Sequence, residues 1–175
     1  MNEQKKKRVL YVISCGTPVA QRLYTLVPLL QEVGWDTCVI LTPMAVRFVD
    51  RLHLAELTRY PVRSEYKQPD DPDVLPRADA ILVFPATFNT LNKWALGISD
   101  TFALGLLCEL TGLKVPILAV PVVRKGGGLD AHPAFPRSLR LLKRYGVHIF
   151  YEPDMYPPRN EISDEGIMRA LQQIV

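Results

Sequence analysis

The sequence predicts an α/β fold: a single doubly wound parallel sheet, Rossmann or flavodoxin-like, with helices on both faces. Three observations carry this expectation. Near-continuous apolar runs of strand length recur along the chain, as strands buried on both faces require. Segments with apolar residues at helical spacing alternate with them, the order of parallel βαβ units. Polar or glycine-bearing turns follow the strands, at the edge where open sheets of this kind gather ligands.

The first apolar run, residues 9–13, is a buried strand, and residues 14–17 are the turn after it. Pro18 suits the first position of a helix. Leu23, Leu26, Leu30 and Val33 follow at helical spacing, Pro28 predicts a bend, and Gly34 closes the helix. Residues 37–41 form the second strand. Thr42 and Pro43 then read as an N-cap and a first-turn proline, opening a helix through Phe48. Residues 60–76 are polar and hold four prolines, so they are expected as an irregular loop with one short strand near Val62. Residues 80–84 make the third strand, with helices over 91–95 and 100–110. Residues 115–120 make the fourth strand, and Arg124 to Gly128 make a loop of wide backbone freedom. A helix over 133–145 carries Leu139, Leu142 and Tyr145 on one face and ends at Gly146. A fifth strand, 147–150, and an amphipathic helix, 162–174, complete the order.

With 175 residues, 48% of them hydrophobic, the chain is long enough to bury a real core. Residues 1–8 are expected to be a basic flexible arm and residues 9–175 a single domain. Lys5 to Arg8 outweigh the whole net charge of +3, which leaves no clear basic face for a nucleic-acid partner. No apolar run approaches the roughly 20 residues of a membrane span. The N-terminus lacks a signal-peptide cleavage pattern, so the chain reads as cytoplasmic. The three cysteines have no metal-ligand spacing, and no metal site is expected. Cys38 and Cys108 fall in apolar segments as core residues. Cys15, at a strand end, is either a reactive thiol or a small packed residue.

The loop at residues 85–90, Pro-Ala-Thr-Phe-Asn-Thr, follows the third strand directly and leads into a helix. It offers two hydroxyls, an amide and free backbone N–H groups, all suited to a phosphate or a polar ring edge. A strand-to-helix turn with Asn89 or Thr90 as N-cap explains the same residues. Near Gly16 there is one glycine where a dinucleotide fingerprint needs three, and no Gly-Lys-Ser or Gly-Lys-Thr occurs. A cofactor with a single phosphate fits better than NAD.

Residues 85–90 resemble the Pro-Ala-Ser-Ala-Asn-Thr motif of the homo-oligomeric flavin-containing cysteine decarboxylases. That family includes phosphopantothenoylcysteine decarboxylase and the decarboxylases of lantibiotic precursor peptides. The similarity continues through Lys93, the Gly-Ile-Ser-Asp at residues 97–100, and Leu104. It includes residues 14–20, like the family's Thr-Gly-Ser-Ile-Ala-Ala turn, and residues 41–49, close to Met-Thr-Pro-Ser-Ala-Thr-Arg-Phe-Val. The resemblance implies an FMN-binding flavoprotein, with FAD less suited, and Gly16, Thr17, Thr42, Phe48, Thr87, Asn89 and Thr90 as cofactor-binding residues. Thr42 can also cap a helix, and Phe48 is equally a core aromatic. The resemblance places Asp100 near a subunit contact, where it can also cap the following helix. It implies a homotrimer or a multiple of trimers. Lys93 reads as a solvated helix residue.

Two breaks in the resemblance bear on function. The family's histidine before the third strand falls on Asp71, a poor base at neutral pH unless buried. The family's Pro-Ala-Met-Asn after the fourth strand becomes Pro121-Val122-Val123-Arg124 here. Arg124 can clamp a carboxylate bidentately or remain a solvated loop charge, and Lys125 stands beside it. Neither His53 nor His148 replaces the missing base, His132 reads as structural, and the catalytic residues stay unassigned. The readings are therefore a flavin enzyme that oxidises or decarboxylates a thiol or a peptide C-terminal cysteine, or a non-catalytic flavoprotein or partner subunit of such an oligomer. Flavin prenyltransferase is a weaker third reading.

Overall fold

The computed structural model describes residues 8–72, 74–154 and 162–175, so the expected basic arm lies, except for Arg8, outside the described residues. Five strands form one sheet: β1 (Arg8–Ser14), β2 (Trp35–Leu41), β3 (Ala80–Ala86), β4 (Ile117–Pro121) and β5 (His148–Ile149). They lie in the order β2-β1-β3-β4-β5, and every pairing is parallel. This is the expected doubly wound sheet. Its chain order reverses between β1 and β3, the switch point that opens a crevice at the carboxyl ends of the strands.

Strands β1 to β4 bury both faces, which is why their runs are apolar throughout rather than alternating, whereas the edge strand β5 is not buried. Tyr11, Ile13, Ile81, Val83 and Ala119 point to one core. There they meet Leu91 and Trp94 of α3 (Phe88–Ala95), Leu107 of α4 (Phe102–Gly112) and Leu142 of α5 (Ala134–Arg144). Leu10, Val12, Leu82, Phe84 and Val120 point to the other. There they meet Leu23, Leu26 and Leu30 of α1 (Leu23–Glu32), Leu54 of α2 (Arg51–Thr58) and Ile167 and Leu171 of α6 (Asp164–Gln172). The guanidinium of Arg22 pairs with Asp164 and lies over the Phe84 ring, which ties α6 to the start of α1. No helix among the described residues is long and apolar enough to cross a membrane.

Five expectations need correction. The helix expected from Thr42 through Phe48 is a single 3₁₀ turn, Ala45–Arg47. The N–H groups of Ala45 and Phe48 bond three residues back, to Thr42 and Ala45, at 2.9 Å each. The α-helix starts afterwards at Arg51, because the Asp50 carboxylate accepts from the N–H groups of Leu52 and His53 at 2.9 and 3.3 Å. α3 starts three residues earlier than expected, at Phe88, and neither Asn89 nor Thr90 caps it: the N-cap position is Thr87. The cap of α4 is Thr101, whose hydroxyl accepts from the Leu104 N–H at 3.3 Å, and Asp100 is left for another partner. Strand β4 starts two residues late because the Val115 N–H bonds back to Leu110. The strand expected near Val62 is one bridge between Arg63 and Ile40, which holds the 60–76 loop against the edge of β2.

Candidate functional site

Three backbone hydrogen bonds fix the carboxyl edge of the sheet. The Cys15 N–H donates to Pro85 O at 3.1 Å, Thr42 N–H to Ser14 O at 2.9 Å, and Val122 N–H to Ala86 O at 3.0 Å. The turns after β1, β2, β3 and β4 therefore leave the sheet at one level. Between them opens a cavity of ≈ 670 Å³, within the range of small-molecule and cofactor sites. Gly16, Thr17, Thr42, Phe48, Thr87, Asn89, Thr90 and Arg124 all line it. The structure thus brings together all seven residues expected to hold a cofactor, and one of the two expected to meet substrate.

Gly16 is there because nothing larger fits. A Cβ built on it would lie 2.6 Å from Met44 Cβ and 2.8 Å from the Met44 carbonyl carbon. The first turn can pack against the second only without a side chain. Thr42 does not cap a helix, and its hydroxyl makes no hydrogen bond within the described residues, so it is left to the cavity. Thr87 holds the N-cap position of α3 without bonding a first-turn N–H through its side chain. It donates instead to the Thr90 hydroxyl at 3.3 Å. The first-turn N–H groups of α3 thus remain available at the positive end of the helix dipole, an arrangement that favours an anionic group.

Apolar side chains complete the lining: Met44, Phe48, Phe88, Leu104, Val122 and Leu129. Sequence reasoning assigned only Phe48 among them to the site. Such side chains carry no motif, and only the fold gathers them. The cavity is therefore amphipathic, lined by hydroxyls and N–H groups as well as by apolar side chains. That donor set suits a phosphate-bearing ligand with a sizeable apolar part.

Charge in the cavity is sparse. Lys93 is committed to Asp100 at 2.5 Å, so it is an ion-paired residue rather than a freely solvated one. Arg124 has no partner among the described residues. Lys125 does not line the cavity; its ammonium pairs with Asp154. The loop carrying Arg124 is held by Asp130, a residue the sequence did not single out. Its carboxylate accepts from the N–H groups of Gly126 at 2.7 Å and Gly128 at 3.0 Å, which keeps the carboxyl below its usual range. An Asp following a Gly-Gly-Gly run was the available signal.

Cys15 resolves to a packed residue. It is wholly buried behind the β3–α3 loop, and burial pushes its thiol up against the smaller opposing effect of the Thr90 and Thr87 hydrogen bonds. Burial and the Asp36 carboxylate raise Cys38 to about 12. A raised thiol holds little thiolate near neutral pH, and the thiolate is the nucleophile. Native protein treated with iodoacetamide at neutral pH is expected to leave Cys15 and Cys38 unmodified by mass spectrometry, with both labelled after denaturation. Rapid labelling of native Cys15 would refute the packed assignment.

The remaining titratable candidates stand elsewhere. Asp71 does not line the cavity; its carboxylate accepts from the Gln68 N–H at 2.9 Å within the 60–76 loop. His132 Nδ1 accepts from the Ala134 N–H at 3.1 Å and its ring sits edge-on to Phe88, the structural role expected of it. His53 packs on Tyr24, and His148 lies in β5 at the far edge of the sheet. Among the described residues, no group of three or more His, Cys, Asp or Glu side chains could hold a metal ion.

The family model for flavoproteins matches residues 1–175. The chain is 30% identical over 146 residues to a probable phosphopantothenoylcysteine decarboxylase of Streptococcus mutans, covering 80% of this chain and 79% of that one. The fold superposes on a solved PPC decarboxylase mutant, complexed with pantothenoylaminoethenethiol, with a TM-score of 0.76 at 18% identity, over 96% of this chain and 98% of that one. It superposes on the peptidyl-cysteine decarboxylase EpiD with a TM-score of 0.73 at 21% identity, over 95% and 99%. At such identity the two superpositions speak for the fold alone. With the whole-length family match and the S. mutans relative, they leave one assignment: the chain belongs to the flavoprotein family, among the flavin-containing cysteine decarboxylases and their relatives.

Proposed function

We propose that the chain binds FMN in the cavity at the carboxyl edge of the sheet and uses it on a thiol, either a small molecule or the C-terminal cysteine of a peptide. One observation carries the reading. The uncapped first turn of α3, the free Thr42 hydroxyl and the Gly16 close approach face one amphipathic space sized for that cofactor. Gly16, Thr17, Thr42, Thr87, Asn89 and Thr90 would hold the phosphate and ribityl oxygens, and Phe48 would flank the ring. When bound, a flavin supplies an electron sink for thiol oxidation. The chain's own part is to orient the thiol and exclude water. Arg124, the lining cation without a partner among the described residues, would hold the substrate carboxylate. FMN is favoured over FAD because no glycine-rich pyrophosphate turn is present, and assembly as a trimer or a multiple of trimers belongs to the same proposal.

A second reading rests on a separate observation. No lining residue among those described is a carboxylate, histidine or thiol able to take a proton at neutral pH. A flavoprotein that completes or regulates a partner subunit's site would look the same. The visible spectrum of purified protein tests flavin binding in either case. Mass spectrometry for carbon dioxide loss from cysteine-terminated peptides then separates enzyme from carrier. Protein that stays colourless and refuses added FMN would refute both.

Arg124 gives a prediction of its own. In Arg124→Ala, KM for a substrate with a free carboxylate is expected to rise about tenfold or more with kcat little changed, the mark of lost uniform binding. FMN uptake should be unaffected. A substrate whose carboxylate is amidated should not distinguish wild type from variant; if it does, the assignment fails.

A further inference from the structure

The outward face of α5 is basic, and its charges are free of ion pairs among the described residues. Arg137, Arg140, Lys143 and Arg144 are all exposed, and none has an ion-pair partner among the described residues. Arg137, Arg140 and Arg144 recur at three- and four-residue spacing, so they share one stripe. The concentration is local, because residues 9–175 hold equal numbers of acidic and basic side chains. Lys143 and Arg144 suit the negative end of the helix dipole. Arg137 does not: it stands near the positive end, with no acidic residue in the first turn to offset it.

Beside this stripe runs a groove of ≈ 500 Å³ between α3, α4 and α5. Trp94, Cys108, Leu141 and Tyr145 line it, Leu96 stands 62% exposed at its rim, and Arg137 forms part of its wall. Helix α3 joins it to the candidate flavin cavity: Thr90 and Lys93 line the cavity, and Trp94 to Gly97 line the groove.

We propose that this groove and stripe dock an acidic segment of a peptide substrate, upstream of the terminal cysteine whose thiol reaches the cavity. The inference rests on the reading of that cavity as a flavin site for a peptide thiol. An apolar side chain of the segment fills the groove, and its carboxylates meet the three arginines. The eight residues of α3 span about 12 Å, a distance that roughly four extended residues cover. The acidic block therefore lies about four residues before the cysteine. A membrane surface fits less well, because the apolar face of α5 is turned into the core through Phe135 and Leu142 and no leucine of α5 itself is exposed to insert. A nucleic acid fits less well, because four cations on a body whose charges balance with them included make a short stripe beside a side-chain-sized groove, not an extended basic surface.

The test is fluorescence anisotropy with purified protein and a labelled peptide carrying Glu-Asp-Trp-Glu-Glu a few residues before a terminal cysteine. Wild type is expected to bind it at least tenfold more tightly than the Arg137→Ala/Arg140→Ala/Arg144→Ala variant, with the difference shrinking as salt is raised. Leu96→Glu, an exposed change at the groove rim, should weaken binding similarly. Flavin absorbance, and turnover of a cysteine-terminated tripeptide too short to reach the groove, should be the same in all three proteins. Equal binding by wild type and triple variant would overturn the proposal. So would equal wild-type binding of the peptide with Gln at its acidic positions. Tighter binding to anionic vesicles or duplex DNA than to the peptide, or a change in sedimentation that tracks the arginines, would assign the stripe to another occupant and overturn it too. Failure of the flavin reading appears separately, as colourless protein without tripeptide turnover, while anisotropy still reports docking.

Discussion

Gly16→Ala is expected to abolish flavin uptake while leaving a folded protein. The added methyl would lie 2.6 Å from Met44 Cβ, 2.8 Å from the Met44 carbonyl carbon and 3.1 Å from the Ala45 nitrogen. Two of these three atoms are backbone, so no rotamer change relieves the clash. The turn at residues 42–48 must move away from the first turn. Overpacking of this kind costs about 1–3 kcal/mol, which a chain of this size can survive. The displaced turn carries Thr42, Met44 and Phe48, three of the cavity-lining residues. FMN affinity should fall by roughly 100-fold or more, about 2.7 kcal/mol or greater. Equilibrium dialysis and the visible spectrum measure the loss, and far-ultraviolet circular dichroism checks the fold. Combining the change with Met44→Gly removes only the Cβ contact and should not restore binding. Wild-type affinity in Gly16→Ala would mean that the first two turns do not cradle the cofactor together.

Gly16 also marks what could be read from the chain before its fold was known. Strands β1 to β4 were legible because double-sided burial forces uninterrupted apolar runs, as in residues 9–13 and 80–84. The polar lining was legible because topology sends the turns after parallel strands to one edge, whatever their sequence. Three things were not. Helix α2 buries only Leu54 and Thr58, so its apolar periodicity is faint, and it ends on Arg59 at φ 62° without a glycine to mark the stop. The Asp50 cap was a usable signal, but Pro43 offered a competing start seven residues earlier. Asp100 and Thr101 are adjacent and both able to cap; only geometry decides that the hydroxyl takes the helix and the carboxylate takes Lys93. Arg124 and Lys125 are adjacent cations of opposite fate for the same reason: neighbours in an irregular loop point different ways, and one faces the cavity while the other pairs with Asp154.

Trp94→Ala is expected to be the most destabilising single change near the site. The side chain is 2% exposed and stands in the core between the sheet and α3, and its Nε1–H donates to the Thr111 hydroxyl at 3.0 Å, which ties α3 to α4. Truncating a buried Trp costs about 3–5 kcal/mol, a large share of the roughly 5–15 kcal/mol that holds a domain together. For a chain of this length that lowers Tm by roughly 6–20 °C. Trp94→Phe keeps most of the volume and loses the hydrogen bond, so its loss should be nearer 1–2 kcal/mol. The effect on the cavity differs in kind from that of Gly16→Ala. The first turn of α3 is also set by the Leu91 N–H bond to Thr87 O at 3.0 Å and by the strand feeding it, so folded Trp94→Ala should retain FMN within about tenfold of wild type. Added FMN should then raise its Tm, since a ligand that binds only the native state stabilises it by mass action. Thermal denaturation with and without FMN reads both quantities. A Trp94→Ala protein that melts like wild type would show that α3 is not anchored through this side chain, and one that folds normally but refuses FMN would place the control of the cavity in the α3–α4 contact rather than in the turn at Gly16.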